Sequence, residues 1–233
     1  MKPTRPGRPS GRSEKGHARQ ALLYETALRL FATQGYEATT LRQIAQEAGV
    51  SPGLMYRYFD GKQAVVIRLY TELSTTYAQR VAMAPTPWSV GVAEALTESL
   101  TVLGPHRGVL RALMGVLVSP KEEGLFGSAT IDARHRVMAA FERAVLQATD
   151  APTPAVGQPL ARLCYLGHLA VILFWLLDRS PEQSATTQLV GGIERNLGRM
   201  RWVLRLPGVG SALAAVDRVV WHGLLGAEGG DGV

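Results

Sequence analysis

Apolar residues recur at spacings of three and four along most of this chain, which is the pattern of helices with one buried face. The first such helix is predicted from Glu14 to about Thr33, and Gly35 is placed to end it. Its apolar face consists of Leu23, Ala27, Leu30 and Phe31. No run of alternating β-branched residues predicts a strand. The pattern therefore predicts an all-α protein.

Two short helices follow, each with its own capping residues. Thr40 and Gln43 form a capping box, in which the threonine hydroxyl accepts from the Gln43 amide and the glutamine side chain reaches back. Ser51 is a preferred N-cap, and Pro52 suits the first helical position because it has no N–H to leave unbonded. The first 60 residues are thus predicted to hold three helices.

The rest of the chain is predicted to continue as helices separated by Pro and Gly. A long helix from 61 to about 82 comes first, opened by Asp60. The later helices are placed at about 89–103, 106–118, 128–149, 159–178, 182–205 and 211–225. The segment 163–177 carries no formal charge, but a bilayer needs about 20 apolar residues, so we expect a buried helix and no membrane contact.

Residues 41–58 have the arrangement of a helix-turn-helix. Ala45 is small where the second helix must cross closely, and Gly49 allows the positive φ of the turn. Met55 and Phe59 are predicted to point inward. The face left for the major groove of DNA consists of Pro52, Gly53, Tyr56 and Arg57.

The charge distribution agrees with a polyanion partner at one end of the molecule. The 233 residues include 25 Lys and Arg against 19 Asp and Glu, a net charge of +6, and all of that excess lies in residues 1–70. Residues 1–13 are predicted to be a disordered basic arm. Its segment from Arg5 to Pro9 contains a Gly-Arg-Pro sequence, centred on Arg8, that suits the minor groove. A solvated tail that only aids solubility is an alternative.

Residues 35–69 resemble the DNA-binding domain of the TetR family of bacterial transcriptional regulators. The residues that carry the resemblance are Gly35-Tyr36, Thr40, Ile44-Ala45, Ala48-Gly49-Val50-Ser51, Tyr56, Tyr58-Phe59 and Lys62. The resemblance implies that Thr40, Tyr56 and Lys62 bind backbone phosphates. Arg42 and Arg57 are expected to contact phosphates or base edges, and Ser51, Pro52 and Gly53 to lie near the groove. Tyr58 and Phe59 are expected to pack in the core.

For the second half of the chain, the resemblance implies a homodimer that binds a small molecule. The helices at 159–178 and 182–205 are the expected dimer interface, although burial inside one subunit is an alternative. The candidate pocket residues are Trp88, Met114, Phe126, Met138, Phe141, Tyr165, His168 and Trp175. The small number of charges favours a mostly apolar ligand. No cofactor or metal is expected, and Cys164, the single cysteine, is expected to pack rather than to sense redox state.

These features predict a basic arm (1–13), a helix-turn-helix DNA-binding domain (14–60), a connecting helix (61–84) and a helical ligand-binding and dimerisation domain (85–233). We expect a cytoplasmic, sequence-specific regulator, a repressor that a small ligand releases from its double-stranded DNA operator. A nucleoid protein without sequence preference is an alternative. An enzyme is the third class, although no Gly-x-Ser-x-Gly, Walker loop or His-Glu-x-x-His sequence occurs.

Overall fold

The computed structural model describes residues 14–81 and 85–225, and every regular element within these ranges is helical. This confirms the predicted all-α fold with an N-terminal helix-turn-helix. The chain forms two units, one ending at Val65 and the other beginning at Val66, so the division falls within a long helix. The predicted basic arm, with Arg5 and Arg8, lies outside the described residues.

From residue 14 onward, the first unit is built from three helices and the start of a fourth. These are α1 (Glu14–Gln34), α2 (Leu41–Glu47), α3 (Pro52–Tyr58) and the first residues of α4 (Lys62–Arg80). Its core comprises Leu23, Ala27, Leu30, Phe31, Ile44, Ala45, Met55, Phe59 and Val65. The alanine allows α2 and α3 to pack closely, and Gly49 has φ +66° in the turn between them, as the helix-turn-helix requires.

The capping of α2 and α3 agrees with the prediction in part. The Gln43 amide donates to the Thr40 hydroxyl at 3.1 Å, which confirms the N-cap. The prediction that the Gln43 side chain bonds back to Thr40 is wrong, because it donates instead to the Gln34 side chain at 2.7 Å. Ser51 is the N-cap of α3 and Pro52 is its first helical residue, but the serine side chain makes no capping bond.

Within residues 66–81 and 85–225, the second unit contains the remainder of α4 and seven further α-helices. They are α5 (Trp88–Leu103), α6 (Arg107–Ala112), α7 (Met114–Leu117), α8 (Ile131–Leu146), α9 (Pro154–Leu177), α10 (Ser184–Val203) and α11 (Val209–Leu225). Helix α9 is central, because it packs against both α8 and α11, while α10 packs mainly on α5. The core is formed chiefly by α5, α8 and α9.

Two predicted helices have different bounds in the structure. Helix α9 begins at Pro154 rather than near residue 159, so Pro159 lies within it. A proline removes one i to i−4 hydrogen bond, which the helix tolerates here near its start. The predicted helix at 106–118 is interrupted at Leu113, where φ is −89° and ψ is 2°, and this separates α6 from α7.

Polar side chains join the helices of the second unit at a few buried points. Arg162 on α9 forms a two-bond ion pair with Asp217 on α11, with Nε donating to Oδ1 at 3.0 Å and Nη2 donating to Oδ2. Asp178 accepts four hydrogen bonds, from the amides and hydroxyls of Ser180 and Thr186. These bonds lower the pKa of Asp178 and fix the turn between α9 and α10.

Candidate DNA-contact surface and ligand cavity

The exposed face of α3 consists of the four residues that the sequence singles out. Pro52, Gly53, Tyr56 and Arg57 are exposed, whereas Met55 is fully buried on the opposite side. These four positions are one and four residues apart, so they form one strip along the helix. A helix that presents such a strip can enter the major groove of DNA.

Among the described residues of the first unit, Tyr56 is the most exposed large apolar side chain, at 62%. An aromatic side chain with so little packing does not contribute to the core, so its position favours an intermolecular contact. Phe59 is 3% exposed and closes the core below it, as expected from the pattern. Tyr58 lies between these extremes.

Lys62 is the first residue of α4, and its ammonium already has partners within the first unit. Its Nζ donates to the backbone oxygens of Tyr36 at 2.6 Å and Glu37 at 3.3 Å, and it lies 4.4 Å from the centre of the Tyr36 ring. An ammonium has three N–H donors, so one remains for a phosphate. Lys62 therefore holds the loop that precedes α2 in place, and its predicted phosphate contact stays a prediction.

Thr40, Arg42 and Ser51 are exposed at or near the starts of α2 and α3. Thr40 uses its hydroxyl as an acceptor for the N-cap bond, which leaves its O–H free to donate to a phosphate. The DNA contacts predicted for these three residues remain predictions.

The second unit contains a cavity of about 330 Å³ that is almost entirely apolar. It lies among α4 and α6 to α9, with the end of α5 at its edge. A volume of this size suits a small ligand, because ligand pockets measure about 300–1,000 Å³. The cavity is lined by side chains including Leu73, Leu110, Leu117, Leu169, Ile172 and Leu176.

The candidate pocket residues fall into two groups. Met114, Phe126, Tyr165 and His168 line the cavity. Trp88, Met138, Phe141 and Trp175 do not line it, because they are buried in the packing between helices. An apolar periodicity cannot separate these groups, since core and cavity residues occupy the same helix faces.

His168 is a buried polar group on the cavity wall. Its Nε2 is 2.7 Å from the Ser99 hydroxyl, and its ring is surrounded by Tyr77, Phe141 and Tyr165. Burial lowers the pKa of His168 to about 3, so the ring is neutral near pH 7. Its Nδ1 has no hydrogen-bond partner among the described residues.

Arg134 is a cavity residue that is not among the candidates predicted from the sequence. It is 7% exposed, and its Nη1 donates to the Leu125 backbone oxygen at 3.2 Å. A signal was present in the sequence, because Arg134 lies four residues before Met138 and seven before Phe141. This spacing places a cation on the buried face of α8.

Cys164 lies on α9 against the core, as the sequence predicted. Burial raises the pKa of its thiol to about 12, which keeps the sulfur protonated and weakly reactive. Within residues 14–81 and 85–225, no cluster of three or more His, Cys, Asp or Glu side chains could hold a metal ion.

Large apolar side chains are exposed on the last three helices. The most exposed are Phe174 and Leu177 on α9, Trp202 and Val203 at the end of α10, and Val216 and Val219 on α11. Helix α9 is also long and apolar enough to cross a membrane by composition alone. Its packing on α8 and α11 explains that composition equally well, since a central helix of a folded protein has the same property.

A family model described as bacterial regulatory proteins of the tetR family matches residues 23–69. This segment contains the second half of α1, both helices of the helix-turn-helix and the start of α4. The likeness to the TetR family therefore covers the helix-turn-helix and its flanking helices. The TetR match ends near the boundary between the two units and leaves the cavity outside it.

Relatives with curated names agree with this assignment. The chain is 40% identical over 63 residues to the HTH-type transcriptional regulator HbdR of Aromatoleum sp. (strain CIB), which is 27% of this chain and 28% of that protein. The matches to the first three such relatives span only 16–28% of their lengths.

Solved structures extend the likeness in fold to most of the chain. A TetR-family regulator from Streptomyces coelicolor has a TM-score of 0.57 at 22% identity and covers 88% of this chain and 96% of its own. NalD of Pseudomonas aeruginosa, the secondary repressor of the MexAB-OprM multidrug efflux pump, has a TM-score of 0.58 at 17% identity, covering 78% and 97%. At these identities the likeness shows a shared fold.

Proposed function

We propose that this protein is a sequence-specific, DNA-binding transcriptional regulator. The observation that carries the proposal is the exposed strip on α3, where Tyr56 and Arg57 stand on a helix whose other side is fixed in the core by Met55. A rigidly held helix with one exposed face that carries hydrogen-bond donors is what direct readout of a major groove needs. The TetR match over residues 23–69 supports the same function.

We further propose that a small ligand in the second unit releases the protein from its operator, so that it acts as a repressor. The apolar cavity supports a ligand, and the description of NalD as a repressor supports the direction of control. In this proposal, residues 1–60 provide the basic arm and DNA recognition, and 85–233 dimerise and form most of the ligand site. Residues 61–84 connect the two, and α4 adds Leu73 and its neighbours to the cavity wall. A regulator of this kind acts in the cytoplasm, beside the chromosome.

The proposed dimer forms through the exposed apolar surface of the last three helices. Operators of helix-turn-helix dimers have two half-sites, because a two-fold axis in the protein matches one in the DNA. Helix α11 was not part of the interface expected from the sequence, but Val216 and Val219 add an apolar face beside α9. We include it in the proposed interface.

A competition assay tests the regulator against a nucleoid protein. A labelled duplex carrying a sequence selected by the protein is bound at physiological salt and challenged with unlabelled random duplex. Specific complexes are typically about 10³-fold or more tighter than non-specific ones, so a hundredfold excess of random DNA should leave the regulator bound. Displacement at equal concentrations would support the nucleoid alternative instead.

A further inference from the structure

We propose that the ligand of the cavity is an amphipathic carboxylate, with its charged group at Arg134 and its apolar body among the leucines of α6 to α9. This inference rests on the proposed function only in treating the cavity as a ligand site. It goes beyond that function by assigning a charge to the ligand, which a mostly apolar wall alone would not indicate.

Arg134 is the single cationic residue among the described residues that line the cavity, and no Asp or Glu lines it. Its guanidinium lies 5.9 Å from the centre of the Phe126 ring and makes one hydrogen bond, to the Leu125 backbone oxygen. No ion pair joins it to any carboxylate of the described residues. Most of its five N–H donors are therefore available to a ligand.

A buried cation without an anion is costly, because removal from water disfavours the charged form. This cost is visible in the pKa of Arg134, which burial lowers from its ordinary value. A carboxylate in the cavity would offset the cost, since it can accept two parallel hydrogen bonds from the guanidinium. A phosphate monoester fits less well, because a single cation would leave part of its charge uncompensated.

Helix α9 adds two neutral polar side chains to the cavity that Arg134 lines. The Tyr165 hydroxyl is near enough to Arg134 to influence its pKa, and burial raises the pKa of Tyr165 so that the phenol stays protonated and can donate. His168 adds Nδ1, which has no hydrogen-bond partner among the described residues. Both residues belong to α9 and face the cavity that Arg134 lines from α8. The apolar remainder of the wall suits a hydrocarbon or aromatic body.

The test compares three probes with the same ten-carbon chain on the unmodified protein: decanoate, decan-1-ol and methyl decanoate. Calorimetric titration at pH 7.5 is expected to show one decanoate per subunit, bound about 10- to 100-fold more tightly than either neutral probe, as for a charge-assisted hydrogen-bond pair. Equal affinities, or saturable binding by none of the three, would overturn the proposal.

A pair of variants locates the charge preference. Arg134→Met removes the cation but keeps an unbranched side chain. The variant should bind decanoate only as tightly as it binds decan-1-ol. Arg143→Met is the matched control, because Arg143 is on the same helix but does not line the cavity. A preference that survives Arg134→Met would contradict the assignment. If that variant does not fold, the comparison of probes on the unmodified protein still decides.

These titrations contain no DNA, so their outcome is separate from that of the regulator proposal. A protein that prefers decanoate but binds no operator would contradict the proposed function and leave the carboxylate site standing. A protein that binds an operator but binds the three probes with equal affinity would contradict the carboxylate site and leave the proposed function standing.

Discussion

Tyr56 and Tyr58 are two residues apart on α3 and differ in their surroundings. Tyr56 is mostly exposed, whereas Tyr58 is half-buried beside the core residue Phe59. A hydroxyl at the end of a rigid exposed ring can reach a phosphate without reading a base, so its contribution should be the same on every DNA sequence. The pair therefore offers a matched comparison of a contact residue with a packing residue.

We predict that Tyr56→Phe weakens binding about 3- to 10-fold on operator and random DNA alike, because one hydrogen bond contributes about 0.5–1.5 kcal/mol. Tyr58→Phe should change either affinity less than twofold. Fluorescence anisotropy with labelled duplexes measures both. If Tyr58→Phe weakens binding and Tyr56→Phe does not, the orientation assigned to α3 is wrong.

His168 makes the stability of the second unit depend on pH. Its pKa of about 3 in the folded protein lies below about 6.5 in the unfolded chain, so the unfolded chain binds the proton more tightly. The free energy of unfolding should therefore fall as the pH drops below 6.5 and continue falling toward pH 3. The side chains around the ring, Tyr77, Phe141 and Tyr165, supply no charge near pH 7 to offset this.

We predict that His168 accounts for a loss of about 2 kcal/mol between pH 7 and pH 5. Urea unfolding of the wild type and of His168→Gln at both pH values isolates the contribution of His168, because the other titrating groups are common to both proteins. The difference in stability between the two proteins should narrow, or reverse, in acid. Parallel pH dependence in the two proteins would show that His168 is charged or solvated when folded.

The core of the first unit was predictable at the level of single residues, because Phe31 and Met55 lie on helices with one buried face each, and Phe59 directly follows α3. The cavity wall was less predictable. Trp88 and Phe141 are packed between helices, while Met114 and Phe126 line the cavity, although all four are large apolar residues. Whether a residue packs or lines the cavity depends on how neighbouring helices are spaced. The apolar periodicity of a single helix carries no information about that spacing.

At the scale of helices, α9 to α11 expose apolar side chains that a folded protein usually covers. Phe174 on α9 is 42% exposed and Val219 on α11 is 71% exposed, and both belong to a unit whose core is already well packed. Burial against a second copy removes this surface from water, which is the main favourable term in association. We therefore propose that these helices form the dimer interface.

We predict that Phe174→Asp and Val219→Asp each raise the dimer dissociation constant at least about tenfold, since a two-fold axis brings two carboxylates into one apolar interface. Sedimentation equilibrium measures the mass. Leu22→Asp, at an exposed apolar site on α1 in the first unit, is the control and should leave the dimer unchanged. Dimers that persist in both variants would show that the interface lies on another surface.

Helix bounds were predictable where a capping residue or glycine marks them and less so at prolines. Thr40 and Gly35 mark real ends, with Gly35 at φ +91° after α1. Pro154 and Pro159 are both acceptable near a helix start, so the sequence does not show which of them begins α9. The break at Leu113 has no sequence marker, because neither Gly nor Pro occupies that position.

At the scale of the whole molecule, the net charge of +6 lies entirely within residues 1–70, and four of the basic residues are in the first 13. Basic residues that neutralise phosphates release counterions, so their contribution to affinity decreases with salt. We predict that deletion of residues 1–13 weakens DNA binding more at 50 mM than at 200 mM salt. Anisotropy titrations across this range give the slope. An unchanged affinity and slope would show that the arm is only a solvated tail.

The proposed regulator depends on the exposed strip of α3 to read DNA sequence. The most direct measurement is selection of bound duplexes from a random library, with the wild type and Arg57→Ala in parallel. We predict a consensus of two related half-sites for the wild type, with one position relaxed in the variant, because a base contact contributes about 1–3 kcal/mol of discrimination. A wild-type protein that enriches no consensus would contradict the claim.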